Sequence, residues 1–266
     1  MLVHRVVAPF LQANCYVVAP GTGAAALVVD PGAGAVPGLT RILAEHSLRV
    51  GAVLATHGHA DHVWDAAQVA GDAPVYVAAP DLYRLDDPFA ARKPGEPDFS
   101  ALLDDEWRRP RDVRELPPAV LTGGGAELVD GVAVRAVPAP GHTEGSVVTL
   151  LGEVAFSAAD LPDVAAAREG AAAEGVPAAD LTARAADTAV DERPALLALS
   201  GDVVFAGSVG RTDLAGGDPE VMTWSLRTLA SALDPRTVLL PGHGPAKWWA
   251  RELATNPWIR EALERA

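Results

Sequence analysis

Residues 56–62 read Thr-His-Gly-His-Ala-Asp-His, and this stretch decides how the chain is interpreted. A short, uninterrupted apolar run comes directly before it and predicts a buried strand. Because side chains two apart in an extended chain point to the same side, His57 and His59 can reach one metal ion. Asp61 and His62 lie where the next helix begins, so their side chains can turn toward a position next to that metal ion. The stretch therefore predicts a metal site at the end of a strand.

Two further glycine-flanked histidines lie later in the chain. Residues 140–145 read PGHTEG and carry His142, whereas residues 241–244 read PGHG and carry His243. Between them, Asp202 follows a Ser-Gly pair that separates two predicted strands. Imidazole nitrogen combined with carboxylate oxygen is the ligand set of catalytic zinc sites, and it also suits iron and manganese. The three motifs together predict one metal centre at the ends of several strands.

The pattern around these motifs predicts an α/β fold, because short β-branched runs alternate with helical patterns. The predicted strands are Val3–Val7, Tyr16–Val18, Ala25–Val29, Ala52–Ala55, Val75–Val77, Glu127–Val129, Val132–Val137, Ser146–Leu151, Ala195–Leu199, Val203–Ala206 and Val238–Leu240. The predicted helices are Pro37–His46, Val63–Val69 and Glu220–Leu233, with a closing helical region from Ala246.

In this order, the motifs THGHADH, GHTEG, GDVVFAGSVGRTDLAGGD and PGHG resemble the metallo-β-lactamase superfamily. Within it they resemble the glyoxalase II-like, or hydroxyacylglutathione hydrolase-like, metallohydrolases. The resemblance implies an αββα four-layer sandwich, with residues 1–266 as a single domain and a dinuclear metal centre at one edge of two sheets. The implied ligands are His57, His59 and His142 for one metal ion, Asp61, His62 and His243 for the other, and Asp202 as the bridge between them. The implied cofactor is two divalent metal ions per chain, with zinc expected and iron or manganese as alternatives.

The resemblance also implies a reaction. A metal-bridging hydroxide would attack a thioester, such as an S-acyl or 2-hydroxyacyl thiol, or a related ester, and Asp61 would be both a ligand and a catalytic residue. Arg211 matches the position at which glyoxalase II enzymes carry a basic residue that contacts glutathione. The alternative role for Arg211 is to brace its loop through Asp213.

Other members of the superfamily give alternative functions. A mononuclear iron persulfide dioxygenase is the first alternative, and a lactonase-type metallohydrolase is the second. Residues 207–211 and 241–244 resemble the hydrolases more than the dioxygenases. The glutathione-specific enzymes carry tyrosines where this chain has Asp213 and Pro245. The sequence therefore does not determine whether the thiol carrier is glutathione or another thiol.

Two segments fall outside the motifs. Ser157–Arg193 is rich in alanine and acidic residues and lacks aromatic residues, which predicts an insertion. Because His142 and Asp202 lie at one edge, the connection that contains the insertion is predicted at the opposite edge, distal to the metal site. Leu85–Pro118 is rich in charge and proline, so it is either a loop over a pocket or a solvated connection.

The composition excludes or disfavours several classes of protein. The chain of 266 residues has 21 basic and 35 acidic side chains, a net charge of −14 and one cysteine, Cys15. A single cysteine excludes an internal disulfide and a thiolate zinc cluster. The negative charge disfavours nucleic acid as a partner. The uncharged stretch Val6–Val29 is interrupted by polar residues, proline and glycine, so no membrane span is predicted. We therefore expect a cytoplasmic monomer or small homo-oligomer that acts on a small molecule.

Overall fold

Two six-stranded β-sheets carry the fold in the part of the chain that the computed structural model describes, which is residues 1–89, 91–92, 95–96, 98–103, 105–154 and 195–265. The first sheet contains β1 (Leu2–Val7), β2 (Asn14–Ala19), β3 (Ala25–Val29), β4 (Arg49–Leu54), β5 (Val75–Val77) and β6 (Val113–Glu115), in that order. The strands of the rest of the chain are β7 (Ala126–Val129), β8 (Val132–Pro138), β9 (Val147–Val154), β10 (Ala195–Gly201), β11 (Val204–Phe205), β12 (Ser208–Val209), β13 (Thr237–Pro241) and β14 (Lys247–Trp248). The second sheet has the order β14-β13-β10-β9-β8-β7, and β11 and β12 form a separate hairpin.

Parallel pairing brings the ligand-bearing strand ends together. In the first sheet, β3 pairs with β4 and β4 with β5 in parallel. In the second sheet, β10 and β13 are also parallel, with Leu199 opposite Leu240. Because the carboxyl ends of parallel neighbours meet at one edge, Asp202 after β10 and His243 after β13 lie side by side.

Helices cover the outer face of each sheet, except that Val120 of the short helix after β6 packs into the cluster between the sheets. They are α1 (Val36–Glu45), α2 (Ala60–Val63), α3 (Ala66–Ala70), α4 (Pro118–Leu121), α5 (Pro219–Ala232), α6 (Trp249–Thr255) and α7 (Pro257–Glu264), with 3₁₀ helices at Ala79–Leu85 and Phe99–Leu102.

Three buried apolar clusters separate the layers. The first lies between the sheets and includes Leu54 and Leu197. The second packs α1 and α3 on the first sheet, with Leu39 against that sheet's outer face, and the third packs α5, α6 and α7 on the second sheet, around Trp249 and Leu229. Helices, sheet, sheet and helices therefore follow one another, and the predicted αββα four-layer order is confirmed.

Two local predictions are wrong. The single helix predicted at Val63–Val69 is two short helices, α2 and α3, interrupted before Ala66. The interruption places the Asp65 carboxylate where it accepts a hydrogen bond from Val36 N, 3.2 Å away, so Asp65 caps the start of α1. The closing region from Ala246 is not helical at first, because Lys247 and Trp248 pair with β13 as β14 before α6 begins.

The predicted insertion Ser157–Arg193 lies outside the described residues. The strands on either side of it, β9 and β10, are antiparallel, and Val154 pairs with Ala195 at the ends that lie away from Asp202. No described helix is long and apolar enough to cross a membrane.

The two sheets are joined by hydrogen bonds at the edge that carries His243. The Asn14 side chain donates to the carbonyl oxygens of Pro241 and Gly244, each 2.8 Å away, and the Tyr16 hydroxyl donates to Pro241 O at 2.8 Å. Both side chains are buried and belong to β2 of the first sheet. They fix the turn that presents His243.

Candidate metal centre

All seven predicted ligands come together at one edge of the two sheets. Their ligand atoms form overlapping groups in which every pair lies within 4.8 Å. The groups are His57 with His59 and His142, His57 with His62 and Asp202, and Asp61 with His62 and His243. The resemblance implied a centre with two halves, one formed by His57, His59 and His142 and the other by Asp61, His62 and His243, and both are present in the geometry. Assigning a metal ion to each half stays a proposal.

Asp202 reaches both halves. Its Oδ2 lies 3.6 Å from His142 Nε2 and 3.4 Å from His243 Nε2, and its Oδ1 lies 3.3 Å from His62 Nε2. Oδ2 is therefore close to a histidine of each half, and Oδ1 is close to a histidine of the second half, so this carboxylate is suited to contact two cations. Asp61 belongs to one half, because its Oδ2 lies 3.1 Å from His243 Nε2 and 3.4 Å from His62 Nε2.

Hydrogen bonds on the far side of three rings orient the histidines. His142 Nδ1 donates to the carbonyl oxygen of Arg211 at 2.8 Å, which leaves Nε2 facing Asp202. His62 Nδ1 lies 3.1 Å from the Asp30 carboxylate, and His57 Nδ1 lies 3.2 Å from the Thr56 hydroxyl. Such partners fix the tautomer and the ring plane of a metal-binding histidine.

Asp30 supports the site but is not among the residues that the sequence predicts to be functional. Asp30 is buried, has a φ of +51°, and accepts hydrogen bonds from the backbone N–H and the hydroxyl of Thr56, both at 2.7 Å. It therefore connects the end of β3 to His62 and to the residue before His57. An aspartate directly after a buried strand at the ligand-bearing edge was the available signal.

Asp81 was also missed. Its fully buried carboxylate accepts hydrogen bonds from Gly58 N, Gly145 N and the Thr143 hydroxyl, each at 2.8 Å. Gly58 lies between His57 and His59, and the other two partners follow His142, so Asp81 joins two ligand-bearing loops. Buried Arg84 lies beside it and donates to Glu144 at 2.9 Å.

Burial and charge divide the ionisable groups of the site. Burial lowers the pKa of His57 and of His59 well below the ordinary value, so both rings are neutral, as metal ligation requires. Burial acts to raise the pKa of Asp61, but the charge of His62 and the close approach of the His243 and His62 rings hold it well below its usual range. Burial acts to lower the pKa of His243, but Asp202 and Asp61 raise it to about 10.

The donor set fits metal ions. Within the described residues, His62 Nε2, His142 Nε2 and Asp202 Oδ1 are buried without a hydrogen-bond partner. A buried polar atom left unsatisfied costs about 1–3 kcal/mol, so three of them in one site call for a ligand. Nitrogen and oxygen donors around a shared carboxylate match zinc, iron and manganese.

A cavity of about 210 Å³ opens on these groups. His59, Asp61, His142, Asp202 and His243 form its floor, and its walls come from three loops. The loops contribute Phe10 and Leu11, then Pro88, Phe89, Arg92, Glu96 and Phe99, and finally Arg211, Leu214 and Ala215.

Arg211 lines the cavity and donates to both Asp213 oxygens at 2.7 Å. The pairing with Asp213 is the contact that the loop-bracing alternative predicts, whereas contact with a substrate stays a prediction. Part of Leu85–Pro118 lines the cavity, whereas Arg109 and Arg111 make exposed ion pairs elsewhere.

Comparison with known proteins agrees with the fold. The family model described as the metallo-beta-lactamase superfamily matches residues 8–154. The chain belongs to the metallo-β-lactamase superfamily. Superfamily members bind divalent metals through His and Asp clusters of this kind, so membership supports a metal-dependent hydrolase in general.

Three similar proteins illustrate the range of the superfamily. An uncharacterised protein of Mycobacterium tuberculosis is 33% identical over 267 residues and covers 100% of both chains. Hydroxyacylglutathione hydrolase GloC of Haemophilus influenzae is 25% identical over 83% of this chain and 81% of its own length. The crystal structure of TTHA1623 in a di-iron-bound form has a TM-score of 0.64 and 29% identity, covering 96% of this chain and 98% of that one.

Proposed function

We propose that this superfamily member is a dinuclear metal-dependent hydrolase that cleaves a thioester or a related ester. The observation that carries the proposal is the pair of ligand groups that both lie within 4 Å of the Asp202 carboxylate and open on one cavity. The similarity to a protein named hydroxyacylglutathione hydrolase supports a thioester as the substrate.

Seven side chains would hold the cofactor. His57, His59 and His142 would bind one ion, Asp61, His62 and His243 the other, and Asp202 both. Divalent metal ions bound there supply a lowered pKa for a water molecule and polarise an acyl carbonyl. Zinc is the metal we propose, and the di-iron form of TTHA1623 makes iron the first alternative.

The chain's own residues position the reactants. The Asp61 carboxylate lines the cavity and is ionised, so it can accept a hydrogen bond from the attacking water and orient it. The water oxygen bonds to the acyl carbon, the carbon–sulfur bond breaks, and the thiolate leaves with the electron pair while one proton passes to solvent. A thiolate is a good leaving group because thiols have a pKa of about 8.5, so no strong acid is required at the sulfur.

Arg211 is the proposed contact for an anionic part of the thiol carrier. Its side chain is 47% exposed at the cavity wall, so a carrier can compete with Asp213 for the guanidinium. We expect Arg211→Met to raise KM for an anionic thioester and to leave KM for a neutral one unchanged. Equal KM changes for both carriers would instead assign Arg211 to bracing its loop.

The test is metal quantitation coupled to a substrate panel of thioesters, lactones and thiol persulfides. We expect two metal ions per chain and thioester hydrolysis, both reduced in His59→Ala and unchanged in His46→Ala, which replaces a histidine outside the site. One iron per chain with oxygen consumption on a persulfide would select the dioxygenase instead. We further propose a cytoplasmic monomer or small homo-oligomer that acts on a small molecule, without nucleic acid or a membrane as partner.

A further inference from the structure

The cavity wall beside the metal loop is apolar. Phe10 and Leu11 come from the β1–β2 connection, Phe89 and Phe99 from the segment after the first 3₁₀ helix, and Leu214 from the loop after β12. Three separate loops thus bring large apolar side chains to the same space. A ligand that enters this space meets hydrocarbon on several sides.

This wall is held in place by a cluster that begins inside the metal motif. Phe10 and Phe89 pack on Ala33, Ala60 and Trp64, and Ala60 lies between His59 and Asp61 in the chain. The Trp64 and Phe89 rings have centroids 5.8 Å apart. The apolar surface and the reacting groups are therefore parts of one rigid arrangement.

Leu11 adds an independent observation. Its side chain is 43% exposed and its φ is +50°, a left-handed conformation that a bulky residue seldom adopts. The loop is fixed by a hydrogen bond from Ala8 N to Ala13 O at 2.8 Å, and Ala13 also pairs with His243. Backbone strain that holds an exposed leucine at the mouth of a cavity is typical of a ligand-contacting residue.

The cationic side chains of the wall make ion pairs within the protein. Arg84, Arg92 and Arg211 line the cavity, and each is paired with a carboxylate of this chain, at 2.9, 2.8 and 2.7 Å respectively. Glu96 also lines the cavity, and its buried Oε1 has no hydrogen-bond partner among the described residues, so it disfavours an anionic acyl group. A hydroxyl placed against the apolar side chains, away from Glu96, would lose its hydration without a matching gain.

We propose that Phe10, Leu11, Phe89, Phe99 and Leu214 form a subsite for an apolar acyl group. The substrate class is then a thioester of an aliphatic or arylalkyl acid, rather than of a 2-hydroxy acid. This inference rests on the proposed function, because the acyl carbon must lie over the Asp61 and Asp202 edge of the cavity.

The test uses the metal-loaded protein and thioesters of one neutral thiol, N-acetylcysteamine, with acetyl, propionyl, butyryl, hexanoyl and lactoyl groups. We expect kcat/KM to rise about fourfold per added methylene until the cavity is filled, which corresponds to about 0.8 kcal/mol per methylene. After normalisation to the hydroxide-catalysed rate in solution, propionyl should exceed lactoyl by roughly 10-fold to 100-fold. A flat series, or lactoyl above propionyl, would overturn the inference.

Leu11→Ala supplies the variant, and Leu263→Ala on α7, where the leucine is 41% exposed, is its matched control. Leu11→Ala should lower kcat/KM for hexanoyl roughly tenfold more than kcat/KM for acetyl, whereas the control should change neither. If Leu11→Ala lowers kcat/KM equally for hexanoyl and acetyl, or lowers neither, the subsite is contradicted.

Binding of S-propyl, S-butyl and S-hexyl thioethers of the same thiol, measured by calorimetry, separates this inference from the proposed function. These compounds cannot be hydrolysed, and we expect their Kd to fall about fourfold per methylene. If Kd falls along the series but no thioester is hydrolysed, the subsite is supported and the proposed hydrolase activity is rejected. If thioesters are hydrolysed but Kd does not fall along the series, the subsite is rejected and the hydrolase activity is supported.

Discussion

Asp81→Asn tests whether a buried carboxylate outside the ligand set holds the two histidine-bearing loops together. In the native protein, Oδ2 accepts from Gly58 N and the Thr143 hydroxyl, and Oδ1 accepts from Gly145 N. An asparagine keeps two of these bonds if its oxygen takes the Oδ2 place. Its amide nitrogen then faces the Gly145 N–H, so two donors oppose each other in a buried site.

The expected magnitude follows from that count. One hydrogen bond to a charged group is lost, and a buried N–H is left without an acceptor, at about 1–3 kcal/mol for each effect. We therefore expect the free energy of unfolding to fall by about 2–6 kcal/mol. Because the loop of His142 is no longer fixed to the loop of His57 and His59, metal affinity should also fall, by about 10-fold to 100-fold.

The assay is urea unfolding followed by circular dichroism, with metal affinity measured by competition against a chromophoric chelator. Asp72→Asn is the control, since the Asp72 side chain is 87% exposed and pairs only with exposed Arg111 among the ion pairs of the described residues. Its unfolding midpoint and metal affinity should match those of the native protein. If Asp81→Asn loses less than about 1 kcal/mol and binds metal with native affinity, the reasoning about this carboxylate is refuted.

Three other predictions address the cofactor, its support and the core. Removal of metal by a chelator should lower the melting temperature, because metal at 100 times its Kd contributes about 2.7 kcal/mol per site, and re-addition should restore it; an unchanged melting temperature would argue against a metal centre. Asp30→Asn should weaken metal binding about 10-fold to 100-fold, measured by chelator competition, since Asp30 orients His62; native affinity would contradict that role. Trp249→Ala should cost about 3–5 kcal/mol in urea unfolding because Trp249 is fully buried, while exposed Trp224→Ala should cost far less, and equal losses would refute this account of the third cluster.

Much of the architecture can be predicted from the local sequence pattern. The runs that become β3 and β5 are predicted with the bounds that the structure gives, because buried strands are short, apolar and closed by turn residues. The interruption between α2 and α3 could not be predicted in this way. It depends on Asp65 reaching the start of α1, and that contact exists only after the elements pack.

The candidate site also contains residues that the sequence predicts and residues that it does not. Histidines with glycine neighbours at strand ends are visible in the sequence, and the structure brings them together with Asp61 and Asp202. Asp81 has no comparable signal, because its hydrogen-bond partners lie more than 20 positions away. The position of Asp30 after a buried strand is a signal, but its partner Thr56 is also more than 20 positions away. The strained Leu11 is equally hidden, because a backbone conformation is fixed by tertiary contacts.

The hydrogen bonds of Asn14 to the turn around His243 have a consequence for the order of folding. They join positions 227 and 230 residues apart, so they form only after almost the whole chain has been synthesised and has collapsed. The half of the centre that contains His243 is therefore completed late, whereas His57 and His59 are close in the chain from the start. Full metal loading thus reports that β2 has paired with the turn after β13, and a partly folded chain would hold metal in one half at most.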